Sequence, residues 1–275
     1  MQNAESIATR YDEVSPRYHE RPETAEVILK LFWFTYEHLT WSAVERLLPT
    51  GRRWRILDAG GGGGKYGVRM AERGHPVTVL DLSPGMLEQA RVRFAEAGLA
   101  SDARFEVGNI LALPFEDNAF DFVFCEGDPV SYCLDEYPKA LAELFRVAAP
   151  GAPVVLGVDN REEHFRGALY DDENKARALE ILRTGRSVCP YGLPVHAFTE
   201  PELRRAVEAA GGEVEELFGK PVLFFEVLQA LQAERGPGFD LWAARGELAA
   251  IQERLAHEGY AGSGSHFQVM ARRRR

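Results

Sequence analysis

The sequence predicts an α/β protein: a doubly wound, mostly parallel, seven-stranded sheet with helical cap insertions. Three observations carry that expectation. From residue 53 onward, seven short apolar runs are interleaved with amphipathic helical segments, and such alternation implies parallel pairing through right-handed crossovers. The 275 residues are 45% hydrophobic and 27% charged, an ordinary globular balance that buries a core without disulfides or metals. Finally, the informative polar residues stand at the ends of the apolar runs, where an open α/β sheet presents its ligand crevice.

The first twenty residues are polar, with Tyr11 and Tyr18 interspersed. A long helical stretch is expected over about residues 23–48, ended by Pro49 and Gly51. Val27, Leu31, Phe34 and Trp41 share one of its faces and Ile28, Phe32 and Leu39 another, while Trp33 and Tyr36 widen the arc. A helix apolar over most of its circumference is buried on several sides, so it is placed against both the core and a ligand pocket. Residues 55–58 read as the first strand, 65–73 as a helix ended by Gly74, and 76–80 as a second strand closed by Asp81. Ser83 then offers an N-cap, with Pro84 at the first helical position and Met86, Leu87, Ala90 and Phe94 as the buried face. Strands follow at 104–107 and 120–125, a helix at 135–148, and a fifth strand at 153–158 after the Pro150-Gly151 turn. Thr199-Glu200-Pro201-Glu202 is a capping box that opens a helix ended by Gly211. Residues 213–218 and 266–271 close the sheet, and the stretch between them, about 221–260, is partly helical.

Charge and cysteine usage narrow the function classes. With 32 Lys+Arg against 42 Asp+Glu, the net charge is −10, which disfavours broad nucleic-acid binding; Arg272 to Arg275 read as a solvated tail. Cys125, Cys133 and Cys189 are odd in number and form no CxxC pair, so neither a disulfide framework nor a zinc ribbon is expected, and no metal site. No apolar stretch reaches the ~20 residues of a membrane span, and the first residues lack a signal-peptide pattern. A reduced, cytoplasmic, membrane-free protein is the expectation.

The strongest local signal is Asp58-Ala59-Gly60-Gly61-Gly62-Gly63-Gly64, at the exit of the first strand. Glycines there let the chain turn sharply and approach a ligand without side chains in the way. A phosphate-binding GxxxxGK[ST] loop fails, because position 59 is Ala and position 66 is Tyr. A dinucleotide fingerprint is met by Gly62, Gly64 and Gly67, with Asp81 further on, although five consecutive glycines satisfy many templates. Electrostatics weighs against it: Asp58 would repel a pyrophosphate, yet it suits a ligand carrying ammonium and sulfonium charge.

Ile56-Leu57-Asp58-x-Gly60-x-Gly62-x-Gly64 resembles the first motif of the class I S-adenosylmethionine-dependent methyltransferases. The resemblance continues in the family's order. Residues 77–81 with Leu82-Ser83-Pro84-Gly85-Met86-Leu87 resemble its second strand, and Gly108-Asn109-Ile110 its adenine-binding turn. Phe120-Asp121-x-Val123-x-Cys125-Glu126-Gly127 resembles the fourth strand and its exit. The resemblance spans about residues 53–218 plus the last strand. It implies S-adenosyl-L-methionine as cofactor and S-adenosyl-L-homocysteine as product. The glycine loop, with Asp58, Gly60, Gly62 and Gly64, would hold the methionine part, Asp81 the ribose hydroxyls, and Leu82 and Met86 the adenine. Asn109, where the family commonly has Asp, and Ile110 would meet the adenine edge, and Cys125 and Glu126 would border the methyl-transfer centre. Tyr11 and Tyr18 resemble the family's Tyr-Asp…Tyr segment that closes over the cofactor, where a tyrosine face suits a sulfonium.

Two side chains are candidates for a catalytic base. Asp128 lies just past the fourth strand, with a turn-forming role before Pro129 as the alternative. His196, in the loop before the capping box, titrates near neutral pH, with a hydrogen-bonding loop role as the alternative. His164 lies in a charged run, Arg161-Glu162-Glu163-His164, that reads as a solvated helix face. The expected organisation is an N-terminal helical cap over 1–52, a cofactor-binding α/β domain over 53–220 plus 263–275, and a helical insertion over 221–262 contributing to the cap. The acceptor is expected to be a small molecule. A tRNA-modifying methyltransferase, a nicotinamide-dependent oxidoreductase and a non-catalytic cofactor-binding protein stand as alternatives.

Overall fold

The computed structural model describes residues 2–14, 27–172, 175–236 and 238–275. Before the sheet come helices α1 (Gln2–Val14) and α2 (Val27–Leu47). The parallel part then alternates as β1 (Ile56–Ala59), α3 (Lys65–Glu72), β2 (Val77–Asp81), α4 (Pro84–Glu96), β3 (Ala103–Val107), β4 (Phe122–Cys125), α5 (Tyr137–Val147) and β5 (Pro153–Asp159). Next come α6 (Arg161–Tyr170), α7 (Ala178–Thr184) and a hairpin of β6 (Arg186–Val188) and β7 (Pro194–His196). The chain ends with α8 (Glu200–Ala209), β8 (Gly212–Val222), α9 (Phe224–Arg235), α10 (Arg245–His257) and β9 (Gly264–Arg273). The main sheet has the order β3-β2-β1-β4-β5-β9-β8, with β9 antiparallel to both its neighbours. The predicted seven-stranded doubly wound sheet is therefore the observed one.

Strand side chains alternate between the two faces, and this sorts the core into two layers. Leu57, Val123, Val154 and Leu156 pack with Leu141 and Leu144 of α5 and Leu203 and Val207 of α8. On the opposite face Ile56, Val77, Val79, Phe122 and Phe124 pack with Trp41 and Val44 of α2, Met70 of α3 and Phe94 of α4. The cap signals read from sequence operate as expected. The Met86 N–H donates to Ser83 Oγ at 3.0 Å, and Thr199 and Glu202 form the reciprocal box at the start of α8.

Three features depart from the sequence reading. Over its described residues, 2–14, the polar opening segment is helical, with Asp12 of α1 accepting from Ser83 Oγ at 2.5 Å and from the Gly85 N–H at 2.9 Å. A carboxylate at the N-terminus of α4 is favoured by the helix dipole, so this helix is stabilised by docking rather than by an apolar stripe of its own. Strands β8 and β9 run to 11 and 10 residues, longer than their apolar cores, because they pair with each other beyond the parallel strands. The third departure is the placement of α9 and α10. They pack with α2 around Leu31, Phe224, Leu228, Leu231, Leu241 and Leu248, bracing that helix from behind. No helix among the described residues is long and apolar enough to cross a membrane.

Candidate active site

The carboxyl ends of β1, β2, β4 and β5 open onto a cavity of about 1010 Å³, roofed by α1, α2 and α6 with the loop of the β6–β7 hairpin. Among the described residues from 223 to 262 none lines it; this stretch packs against α2 and, through Gly262, against Asn160 and Glu162 at the start of α6.

Gly60 to Gly63 form the floor at the β1 exit. Asp58 lies beneath them, buried, and a Cβ at position 61 would come within 2.6 Å of its Cγ; only glycine leaves the carboxylate that space. Asp58 Oδ2 has no hydrogen-bond partner. Burial, with the neighbouring Asp81 charge, pushes the Asp58 carboxyl up to about 7. Asp81, at the end of β2, accepts the Gly62 N–H on Oδ2 and the Ser83 N–H on Oδ1, each at 2.9 Å. Both oxygens are thereby aimed while each retains a free lone pair for a ligand hydroxyl. Burial raises this carboxyl too. Leu82, Met86, Asn109 and Ile110 line the adjoining wall. Asn109 Oδ1 accepts the Leu111 N–H at 2.9 Å, which leaves it a second lone pair and the two amide hydrogens to offer a ligand. A buried carboxylate with one unpartnered oxygen under a glycine floor, beside a second one with spare lone pairs, fits a ligand with a cationic head and vicinal hydroxyls.

A carboxyl raised on folding binds its proton more tightly in the native chain than in the unfolded one. Its contribution to stability is therefore greatest at low pH and declines as pH rises from its ordinary value of 3.8 through about 7. Asp58→Asn is expected to remove that decline: relative to wild type, the variant gains stability as pH rises from about 4 to about 7. Urea unfolding across that range measures it, and a pH-independent difference would show that Asp58 is not perturbed.

Beyond the glycine loop the cavity has a second, polar end. Glu126 is 7% exposed and Lys220 fully buried. Glu126 Oε1 accepts from Lys220 Nζ at 2.6 Å and from the Tyr36 hydroxyl at 2.5 Å, while Oε2 has no partner. Lys220 completes its coordination with Thr40 Oγ1 at 2.7 Å and Gln268 Oε1 at 2.5 Å. Next to this network, Asp128, Asp159 and His266 bring one ligand atom each within 4.8 Å of one another. His266 Nε2 stands 3.4 Å from Asp128 Oδ2 and 3.8 Å from Asp159 Oδ1. Burial alone would lower its pKa, but those two carboxylates outweigh burial and raise it to about 9, so His266 is a cation at neutral pH. His164 joins the group through Asp159 Oδ1, 2.8 Å from its Nε2.

Of the sequence candidates, Tyr11, Gly60, Gly62, Asp81, Leu82, Met86, Asn109, Ile110, Glu126 and Asp128 line this one cavity. Tyr18 lies outside the described residues. Gly64 turns away from the cavity to cap α3 against Ala90 and Phe94. Cys125 is sealed in the core below, since alternation along β4 points it into the layer beneath the sheet. His196 does not line the cavity. Its Nε2 pairs with Glu202 Oε1 at 2.8 Å and its ring stacks on Tyr137, because β7 directs it toward α8. His164 is the opposite case: α6 starts directly after β5, so its first turn folds inward and the side chain is mostly buried. Asp159 and His266 were also missed, and both had a signal. Asp159 obeys the same strand-exit rule as Asp58 and Asp81, and β5–β9 pairing sets His266 directly opposite it.

Comparison with known proteins agrees with this geometry. Residues 56–151 match the model of a methyltransferase domain family. A demethylmenaquinone methyltransferase of Thermus thermophilus is 35% identical over 211 residues, covering 74% of this chain and 90% of that enzyme. A malonyl-[acyl-carrier protein] O-methyltransferase of Serratia marcescens is 41% identical over 115 residues; the match takes in 41% of this chain but only 42% of that protein. Among solved structures, the [4+2]-cyclase SpnF superposes with a TM-score of 0.63 at 20% identity, covering 98% of this chain and 96% of its own, a likeness of fold. The glycine floor over Asp58, the poised Asp81 and the relationship along most of the chain lead to one assignment: the protein belongs to the class I S-adenosylmethionine-dependent methyltransferases.

Proposed function

We propose that the chain transfers a methyl group to a small, ring-bearing acceptor enclosed with the cofactor in the one cavity. The observation that carries this reading is the shape and lining of that cavity. At about 1010 Å³ it reaches the upper end of ligand pockets, ~300–1,000 Å³, and so has room for two molecules. Phe32, Trp33, Tyr36 and Tyr132 supply aromatic walls on the acceptor side. Glu126, Asp128 and Asp159 lie there too, which disfavours an acceptor with a free carboxylate and suits a neutral phenol- or quinol-like ring. A tRNA acceptor finds little support, since α1 covers the cavity and the net charge is −10.

When bound, S-adenosylmethionine supplies an electrophilic methyl carbon, and the protein's share is alignment, water exclusion and proton handling. Asp81 and the glycine floor would hold the ribose and the cationic end. The Tyr36–Glu126–Lys220 network fixes the wall beside the acceptor, and Gly157 of β5 makes room for it: a Cβ there would come within 2.4 Å of Glu126 Oε1. Thermal-shift and calorimetric titrations test the reading. S-adenosylhomocysteine is expected to bind and stabilise the protein, and NAD is not. Stabilisation by NAD alone would overturn it in favour of an oxidoreductase.

A further inference from the structure

We propose that His164, oriented by Asp159, is the base that takes the acceptor's proton, and that it does so through the hydroxyl of Ser187. This rests on the methyltransferase reading of the cavity and extends it to the class of acceptor, a compound with a phenolic or enolic hydroxyl. Three side chains from three elements build the site, and all three line the cavity. His164 Nε2 lies 2.8 Å from Asp159 Oδ1, and His164 Nδ1 lies 2.8 Å from Ser187 Oγ. An ionised carboxylate can only accept, so the nitrogen facing Asp159 carries the ring proton. Nδ1 therefore presents its lone pair to the Ser187 hydroxyl, which donates to it. Oriented carboxylate, imidazole and hydroxyl in this sequence are the parts of a general-base relay.

Asp159 is well placed for its part. It closes β5 and its own N–H donates to Ser131 Oγ at 3.0 Å, so its backbone is anchored. Burial alone would raise its carboxyl, but the hydrogen bond from His164 and the charge of His266 act against burial and its carboxyl lies below the usual range. The neighbouring groups pair with one another, although Asp128 Oδ1 and His266 Nδ1 have no hydrogen-bond partner. His266 is a cation between Asp128 and Asp159, and Asp128 is its counter-ion. His196 is outside the cavity. Among the described residues, only His164 combines an oriented ring with a lone pair directed, through Ser187, at the space where an acceptor would lie.

The proton inventory closes without an outside reagent. The acceptor's O–H bond breaks and its proton passes to Ser187 Oγ, while the proton already on Ser187 passes to His164 Nδ1. The electron pair of the broken bond stays on the acceptor oxygen, ready for the methyl carbon. The positive charge ends on an imidazolium paired with Asp159.

The test uses 4-nitrocatechol, whose phenol and phenolate forms differ in colour, added to the full chain saturated with S-adenosylhomocysteine at a pH where the free probe is neutral. The bound probe is expected to show the phenolate band. His164→Gln, Asp159→Asn and Ser187→Ala are each expected to lower its phenolate fraction by about tenfold or more, with calorimetric affinity for S-adenosylhomocysteine retained as the check on folding. A neutral bound probe, no binding of the probe, or a phenolate band that survives in His164→Gln overturns the proposal. Failure of S-adenosylhomocysteine itself to bind the wild type would instead overturn the methyltransferase reading, so the two failures are distinguishable.

Discussion

Asp81→Ala is expected to weaken binding of S-adenosylhomocysteine by about 10- to 100-fold, the ~1.5–3 kcal/mol typical of hydrogen bonds to a charged group. The effect has two sources. The side chain removed offers spare lone pairs to a ligand, and it also holds the Gly62 and Ser83 N–H groups. Without it the glycine floor and the start of α4 lose their shared anchor, so the ligand meets a less ordered loop. Asp81→Asn separates the two contributions, because the amide keeps one acceptor oxygen but loses the charge and one of the two backbone contacts. Its affinity should fall between those of wild type and alanine variant. Isothermal titration calorimetry at fixed ionic strength reads both, and an alanine variant that binds like wild type would show that Asp81 does not contact the ligand.

The second large effect concerns stability. Lys220→Met is expected to cost about 3–5 kcal/mol, the magnitude for leaving one partner of a buried ion pair uncompensated. Lys220 is fully buried and donates to Glu126, Thr40 and Gln268. Burial lowers its pKa while the Glu126 charge acts to raise it, so the ammonium depends on that partner, and the carboxylate on the ammonium. The double variant Lys220→Met/Glu126→Gln removes both charges and should recover most of the loss, since replacing a whole buried pair is often close to neutral. Denaturant unfolding of the two single variants and the double gives the coupling directly. A double variant no more stable than Lys220→Met would mean that the residues stabilise the fold independently.

The cofactor end of the cavity was legible because its chemistry is local in the chain. Asp58 stands at the end of an apolar run and is followed at once by glycines. Asp81 stands at the end of the next run, followed by a helix cap. Strand, tight turn and helix start are set by neighbours a few residues apart, so their register and the direction of the carboxylates follow from the run itself. The same rule applied to the end of β5 would have found Asp159. It was passed over because its run was ended at Val158, one residue short of the observed strand.

The polar end of the cavity was legible only at Glu126 and Asp128, for a reason visible in its members. Tyr36, Glu126, Asp128, His164, Ser187, Lys220 and His266 are scattered over 231 positions, 36 to 266 counted inclusively. Each has an ordinary local setting: an aromatic helix, a loop, a charged run, a strand. His164 shows how the setting misleads. Between Glu163 and Phe165 it has the look of a solvated position, yet the short connection from β5 turns that side of α6 inward. His196 errs in the other direction, a plausible loop histidine that β7 carries away to Glu202.

The sequence by itself determined the sheet, its flanking helices, the family and most residues of the glycine-floored end of the cavity, because alternation, caps and glycine turns act over a few neighbouring residues. Only the tertiary structure decided which polar side chains converge at the other end of the cavity. Burial and pairing depend on strands and helices far apart in the chain, and it is the β5–β9 pairing, the inward turn of α6 and the packing of α2 over β8 that bring them together.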